Sequence, residues 1–351
     1  MTFKPHFMTT HIGSVPHTDA EATAKALVSF LDIPAWPQLP RVSFHENMYV
    51  QYSDGLPNVI LDEAGEKITF DTDSDLTAGM EKFYERYLAE DFDSFALTTE
   101  YSIGFAAMLD ALHDAPGDWG KGQVTGPVSF GLTVVDQDLR AALYNEMLAD
   151  AIVKNMAMKA RWQAQQLKKV KPNTIIFVDE PYMASFGSAF ISLSREQVIT
   201  MLDEIFEAIA AEGALSGVHC CANTDWSVLL DTSVDILNID AYEFVANIAL
   251  YPVELRKFLD RGGIIAWGIV PNNKMINDHT PQDLAQRLID GMELISQKAQ
   301  ARGVNIAPVD FYNQSLIMPA CGLGTTTVEI ADKVLGTLEP TAEILRQKCP
   351  S

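Results

Sequence analysis

The sequence predicts a TIM-type (β/α)8 barrel carrying an inserted loop and hairpin after its first strand. Short apolar runs alternate with longer amphipathic segments, and most of the runs are apolar enough to be covered on both faces, the pattern of parallel strands crossed over by helices. A chain of 351 residues with 48% apolar residues can bury a core of that size as one unit, so residues 1–351 read as a single catalytic barrel domain.

Eight candidate strands appear in order: HFMTTHIGS (6–14), SFALTTE (94–100), KGQVTGP (121–127), TIIFVDEP (174–181), ALSGVHCC (214–221), VDILNIDAYE (234–243), GIIAWGIVP (263–271) and SLIMPACGL (315–323). Between them the apolar residues recur with a period near 3.6. Met80, Phe83, Tyr84, Tyr87 and Leu88 form one such helical face, and Val198, Met201, Leu202, Ile205 and Ile209 another. Thr280 before Pro281 is a cap and first-turn pair for a helix running to about residue 301. Residues 35–73 break the rhythm. Their prolines, followed by the alternation Lys67, Ile68, Thr69, Phe70, predict a loop and hairpin, and long ordered loops in barrels usually serve the active face.

A net charge of −22, from 25 basic and 47 acidic residues, repels phosphate backbones and anionic lipid, so neither nucleic acid nor membrane is an expected partner. No apolar run reaches the roughly 18 residues of a membrane span. The start MTFKPHFMTTHIGSVPH also lacks the regions of a signal peptide, and a cytoplasmic location is expected. The four cysteines do not form the framework of a small disulfide-stapled protein; reduced thiols are the default. Oligomeric state leaves no signal.

The stretch GVHCCANTDW (217–226) draws attention to the thiols. Side chains alternate along a strand, so His219 and Cys221 point to one side and Cys220 to the other. A histidine and cysteines on a buried strand are more often core than ligands. Convergence argues otherwise, because parallel strands bring their C-terminal ends to one face of a barrel. Glu243 ends one predicted strand and Cys321 another, so the expected metal shell is His219, Cys221, Glu243 and Cys321, a donor set suited to zinc with an exchangeable carboxylate. A redox pair is disfavoured by the absence of C-x-x-C.

The ordered segments THIGSVP (10–16), TGPVSF (125–130), VDEP (178–181), HCC (219–221), Glu243 and PACGLG (319–324) resemble the catalytic domain of the cobalamin-independent methionine synthase family, within a superfamily shared with uroporphyrinogen decarboxylase. The resemblance spans nearly the whole chain. It implies Zn2+ binding the thiol of homocysteine and presenting it to a methyl donor. It further implies that Ile12, Gly13 and Ser14 meet the substrate carboxylate and that Asp179 and Glu100 meet its ammonium. Glu180 reads as structural. Two departures bear on the donor. TGPVSFGLTV has no tryptophan to stack on folate, and AWGIVP (266–271) has no histidine to protonate the leaving amine.

The expected donor is therefore methylcobalamin, with a possible corrinoid carrier protein, as in the short single-barrel members. Trp267 and the insertion, with Trp36, Phe44, Tyr49 and Tyr52, are then expected to line a wide mouth. The alternatives are methyl-folate as donor, or another thiol such as coenzyme M as acceptor; a metal-free tetrapyrrole decarboxylase and a non-catalytic binding barrel stand further off.

Overall fold

The structure, a computed structural model, describes residues 3–188 and 191–350, so the ends of the predicted domain and positions 189–190 lie outside the described residues. In chain order the strands are β1 (Met8–Thr9), β2 (Val59–Asp62), β3 (Lys67–Phe70), β4 (Trp119–Thr125), β5 (Val135–Asp136), β6 (Asn173–Asp179), β7 (Leu215–Cys220), β8 (Ile236–Ile239), β9 (Ile264–Val270) and β10 (Ser315–Pro319). Seven of these form one curled, all-parallel sheet in the order β1-β10-β9-β8-β7-β6-β4. Among the described residues no helix is long and apolar enough to cross a membrane.

The period of two sorts each strand between two cores. Ile175 and Phe177 of β6, Ile236 of β8, Ile264 and Ala266 of β9, and Leu316 and Met318 of β10 meet inside the curl. Their neighbours Ile176, Val178, Leu237, Ile239, Ile265, Trp267 and Ile317 pack outward into the larger core beneath the helices. The helix Arg195–Ala211 buries Val198, Leu202, Ile205, Phe206 and Ile209, and Ser194 with Gln197 closes its start as a capping box. Thr280 and Asp283 do the same for Pro281–Ala301.

The sheet is TIM-like without being a closed eight-stranded barrel. Residues 94–100, expected as the second strand, form a 3-10 turn over Phe92–Phe95 followed by irregular chain. Only Phe95 and Leu97 among these are buried, so no continuous apolar edge exists for the neighbours to pair with. The gap between β1 and β4 is instead spanned by the start of the segment read as an insertion. Ile33 bridges to Thr10 and Ala35 to Lys121, with the Ile33 amide donating to Thr9 O at 3.0 Å and the Trp36 amide to Lys121 O at 3.2 Å. The predicted hairpin follows as β2 and β3, antiparallel, with β5 added beside β3.

Of the five aromatic residues expected at the mouth, Phe44 and Tyr49 are half-buried and the other three lie in the core. Trp36, Tyr52 and Trp267 are fully buried. Trp36 Nε1 donates to Gln163 Oε1 at 2.8 Å, Trp267 Nε1 donates to Ser315 Oγ at 2.8 Å, and Tyr52 Oη donates to Gln123 O. Large rings with satisfied polar tips are core material, which accounts for their place outside the sheet.

Glu180 is structural, as its position beside Pro181 suggests. Fully buried, it accepts from Val128 N at 2.9 Å, Ser129 N at 2.7 Å and Ser129 Oγ at 2.6 Å, covering the open start of the helix Pro127–Thr133. Burial pushes its carboxyl up to about 7 against the opposing pull of those donors. The approach also explains the glycine of TGPV, since a Cβ on Gly126 would lie 2.1 Å from Glu180 Cδ. Glu180→Gln, which turns an amide NH2 toward these donors, is expected to destabilise the protein by about 2 kcal/mol in urea unfolding.

Candidate metal and substrate site

Three of the four expected metal ligands meet. His219 is the last residue but one of β7, Cys221 follows that strand, and Cys321 follows β10; His219 Nε2, Cys221 Sγ and Cys321 Sγ all lie within 4.8 Å of one another. His219 Nε2 is 3.0 Å from Cys221 Sγ and 3.7 Å from Cys321 Sγ. Tetrahedral zinc with thiolate and imidazole donors sets them about 3.5–3.8 Å apart; Cys321 stands at that separation from His219, and Cys221, closer in, reaches it by a small outward move. The imidazole is also oriented for the task. Asn238 Nδ2 donates to Ala266 O at 2.7 Å, which leaves its Oδ1 to accept from His219 Nδ1 and turns Nε2 toward the thiols.

The electrostatics of the trio are those of a shared proton. Cys321 is held well below the ordinary thiol range, first by a hydrogen bond from Cys221 and then by His219, while burial works the other way. Cys221 is pushed up, first by the same contact with Cys321 and then by burial. Burial would lower His219, but its contacts with Cys321, Asp179 and Asn238 leave it above its usual value. A cation that displaces the proton satisfies both sulfurs at once. Cys220 points away; its Sγ is 3.4 Å from Ala222 O and burial pushes its thiol up to about 12.

Glu243 does not join this group. Strand β8 stops at Ile239, and Asp240 accepts from the Glu243 amide at 2.9 Å, starting a helical turn over Ala241–Phe244 on which Glu243 is exposed. Asp240, mostly buried at the strand end, is raised to about 6 by burial first, with Glu243 and Cys321 contributing, and it too stays outside the group of three. Nothing in NIDAYE foretells this, since it depends on where the strand ends.

A cavity of about 330 Å³ opens over the trio, lined by His219, Cys221 and Cys321 together with Ile12, Ser14 and Asp179. Ile12, Gly13 and Ser14 are held by their carbonyls: Ile12 O accepts from Lys121 Nζ at 2.7 Å, Gly13 O from Gln38 N at 3.1 Å and Ser14 O from Leu323 N at 2.9 Å. Among the described residues, the three amides have no protein acceptor. Gly13 adopts φ +151, and a Cβ there would meet the Gln123 side chain at 2.6 Å. Asp179 is buried with Oδ1 unpaired, and burial raises its carboxyl while His219 and Lys121 draw it back.

Glu100 is elsewhere. Its side chain is 68% exposed, 3.8 Å from His45 Nε2, because the expected strand that was to carry it inward is absent. The second acid on the cavity is Glu46, 1% exposed, which accepts from Leu39 N at 3.2 Å and Ile103 N at 2.8 Å; burial raises it and those amides oppose the rise. Glu46 lies in the irregular 35–73 segment, where no periodicity reveals which side chain turns inward. No Lys or Arg is among the residues lining the cavity, so its charge favours an ammonium group. Asn238→Ala is expected to weaken zinc binding about 10–100-fold in competition with a chelator, whereas Glu243→Ala leaves the measured affinity unchanged.

No protein-family model matches the chain, and no curated protein does. Among solved structures, the chain is similar to a B12-independent methionine synthase from Shewanella sp. W3-18-1 in complex with selenomethionine, with a TM-score of 0.54, 15% identity, and coverage of 97% of this chain and 98% of that one. The likeness at this identity is one of fold, end to end.

Proposed function

We propose that this chain is a zinc-dependent methyltransferase that methylates the thiol of homocysteine to give methionine. One observation carries the reading: a His-Cys-Cys group of metal-ligand geometry shares a cavity with unpaired backbone amides and two buried carboxyls. These are complementary to a thiol, a carboxylate and an ammonium, the three polar groups of that amino acid.

His219, Cys221 and Cys321 hold the ion, and the expected fourth ligand Glu243 gives way to an open position that the substrate thiol takes. Bound zinc supplies a lowered pKa for a thiol that reaches it, so that the nucleophilic thiolate persists near neutral pH. Asn238 keeps the His219 ring in the tautomer that leaves Nε2 free. Asp179 and Glu46 take the ammonium, with Glu46 replacing Glu100, and the amides from Ile12 to Ser14 with the Ser14 hydroxyl take the carboxylate. The two acids disfavour an anionic acceptor such as coenzyme M.

For the donor we take methyl-folate over the methylcobalamin expected from sequence. The similar structure is of a B12-independent enzyme, and three of the aromatic residues assigned to a corrinoid mouth, Trp36, Tyr52 and Trp267, are core residues. A corrinoid carrier protein loses its support with them. The missing tryptophan and histidine of TGPVSFGLTV and AWGIVP keep the corrinoid reading as the one to test against. Zinc-loaded protein with homocysteine is expected to form methionine from methyl-folate and not from methylcobalamin. Methionine formed from methylcobalamin alone reverses the donor, and formation from neither, with zinc bound, removes the proposed reaction. Asp179→Asn is expected to raise KM for homocysteine at least tenfold in the same assay, the loss of a charged hydrogen bond being about 1.5–3 kcal/mol.

A further inference from the structure

Lys121 is fully buried in the interior of the curled sheet, on β4, beneath the cavity and outside its lining. Its Nζ donates to His11 O at 2.8 Å and to Ile12 O at 2.7 Å, and sits 4.3 Å from the centre of the Phe177 ring. Burial lowers its ammonium to about 7, and the charge of Asp179 opposes that fall. A buried ammonium is poor evidence of stability, because desolvation offsets what its partners return and an apolar residue of similar volume often serves as well.

The two accepting carbonyls are a clue to its role. In a planar trans peptide the carbonyl of one residue and the amide of the next point in opposite directions. Drawing the His11 and Ile12 carbonyls toward Lys121 therefore turns the Ile12 and Gly13 amides away from it. Gln38 does the same through Gly13 O for the Ser14 amide. Each carbonyl from His11 to Ser14 is thus occupied from within the protein, while the amides from Ile12 to Ser14 are unclaimed among the described residues. A positive charge on the oxygen side of a peptide also polarises it, strengthening its N–H as a donor.

We propose that Lys121 is the positioning residue for the substrate carboxylate: it touches no substrate atom, and presets and polarises the Ile12 and Gly13 amides that bind it. The inference rests on the homocysteine reading of the site. The test is calorimetric binding of homocysteine, and of 3-mercaptopropylamine, which lacks only the carboxylate, to zinc-loaded protein. Wild type is expected to prefer homocysteine. In Lys121→Met that preference falls about tenfold, through weaker homocysteine binding alone, with zinc content kept and KM raised at near-constant kcat. Lys121→Gln, which keeps an N–H donor without the charge, loses less, and it carries the test should the methionine variant not fold.

Unchanged homocysteine affinity in a folded variant overturns the proposal, as does equal loss for both ligands, the mark of a merely structural lysine. A wild type that binds the two ligands alike, or neither, refutes the homocysteine reading itself, and the proposal with it.

Discussion

The common direction of the seven strands is the constraint on which the rest of the molecule depends. A parallel sheet delivers every strand's C-terminal end to the same edge, and curling brings those ends around one mouth. His219, Asp179, Cys321 and the run from Ile12 to Ser14 come from four strands that are far apart in sequence, and they line one cavity because of it. Each lies at or just beyond a strand end, where side chains stop being absorbed by sheet packing and become free for chemistry. The long helices and the outer core maintain the curl, while short helical turns bring Glu46, Met48 and Pro181 to the mouth.

The interior of the curl is unusual in its polarity. On most strands the inward positions are isoleucine, leucine or phenylalanine, but β4 turns Lys121 and Gln123 inward, both fully buried. Gln123 Nε2 donates to Trp36 O at 3.2 Å, and Lys121 ties down the turn after β1. These polar groups lie where the regular ladder fails, between β1 and β4, and they supply by side chain some of the hydrogen bonds that a missing strand would have made through its backbone. The irregular segment around Ile33–Trp36 is thereby both the seam of the sheet and the base of the loop that brings Glu46 to the cavity.

The site combines acidity with oriented donors. Two thiols, Asp179 and Glu46 line one cavity with little water to screen them, and burial raises both carboxyls accordingly. Such a cavity gains most from a divalent cation and an ammonium ion arriving together, each relieving a different part of the repulsion. The amides from Ile12 to Ser14, without a protein acceptor among the described residues, are the oriented donors, and the proposed substrate, a zwitterionic thiol, carries a partner for each feature.

The period-two and period-3.6 patterns mark the strands β4, β6, β7, β8, β9 and β10 and most of the helix faces, Leu88 being exposed at the end of its helix, because burial on a regular element leaves a regular trace. Alternation also separated Cys221 from Cys220 before any coordinates. Other features left no such trace. That Glu243 stays outside the metal group depends on where β8 ends, that Glu46 and not Glu100 lines the cavity on how an irregular segment folds back, and the replacement of the expected strand 94–100 by residues 33–36 on backbone pairing between distant segments. Local sequence reports what a residue's own element demands. Which carboxyl reaches a cavity assembled from several elements is decided by their packing against one another, and only the tertiary structure holds that.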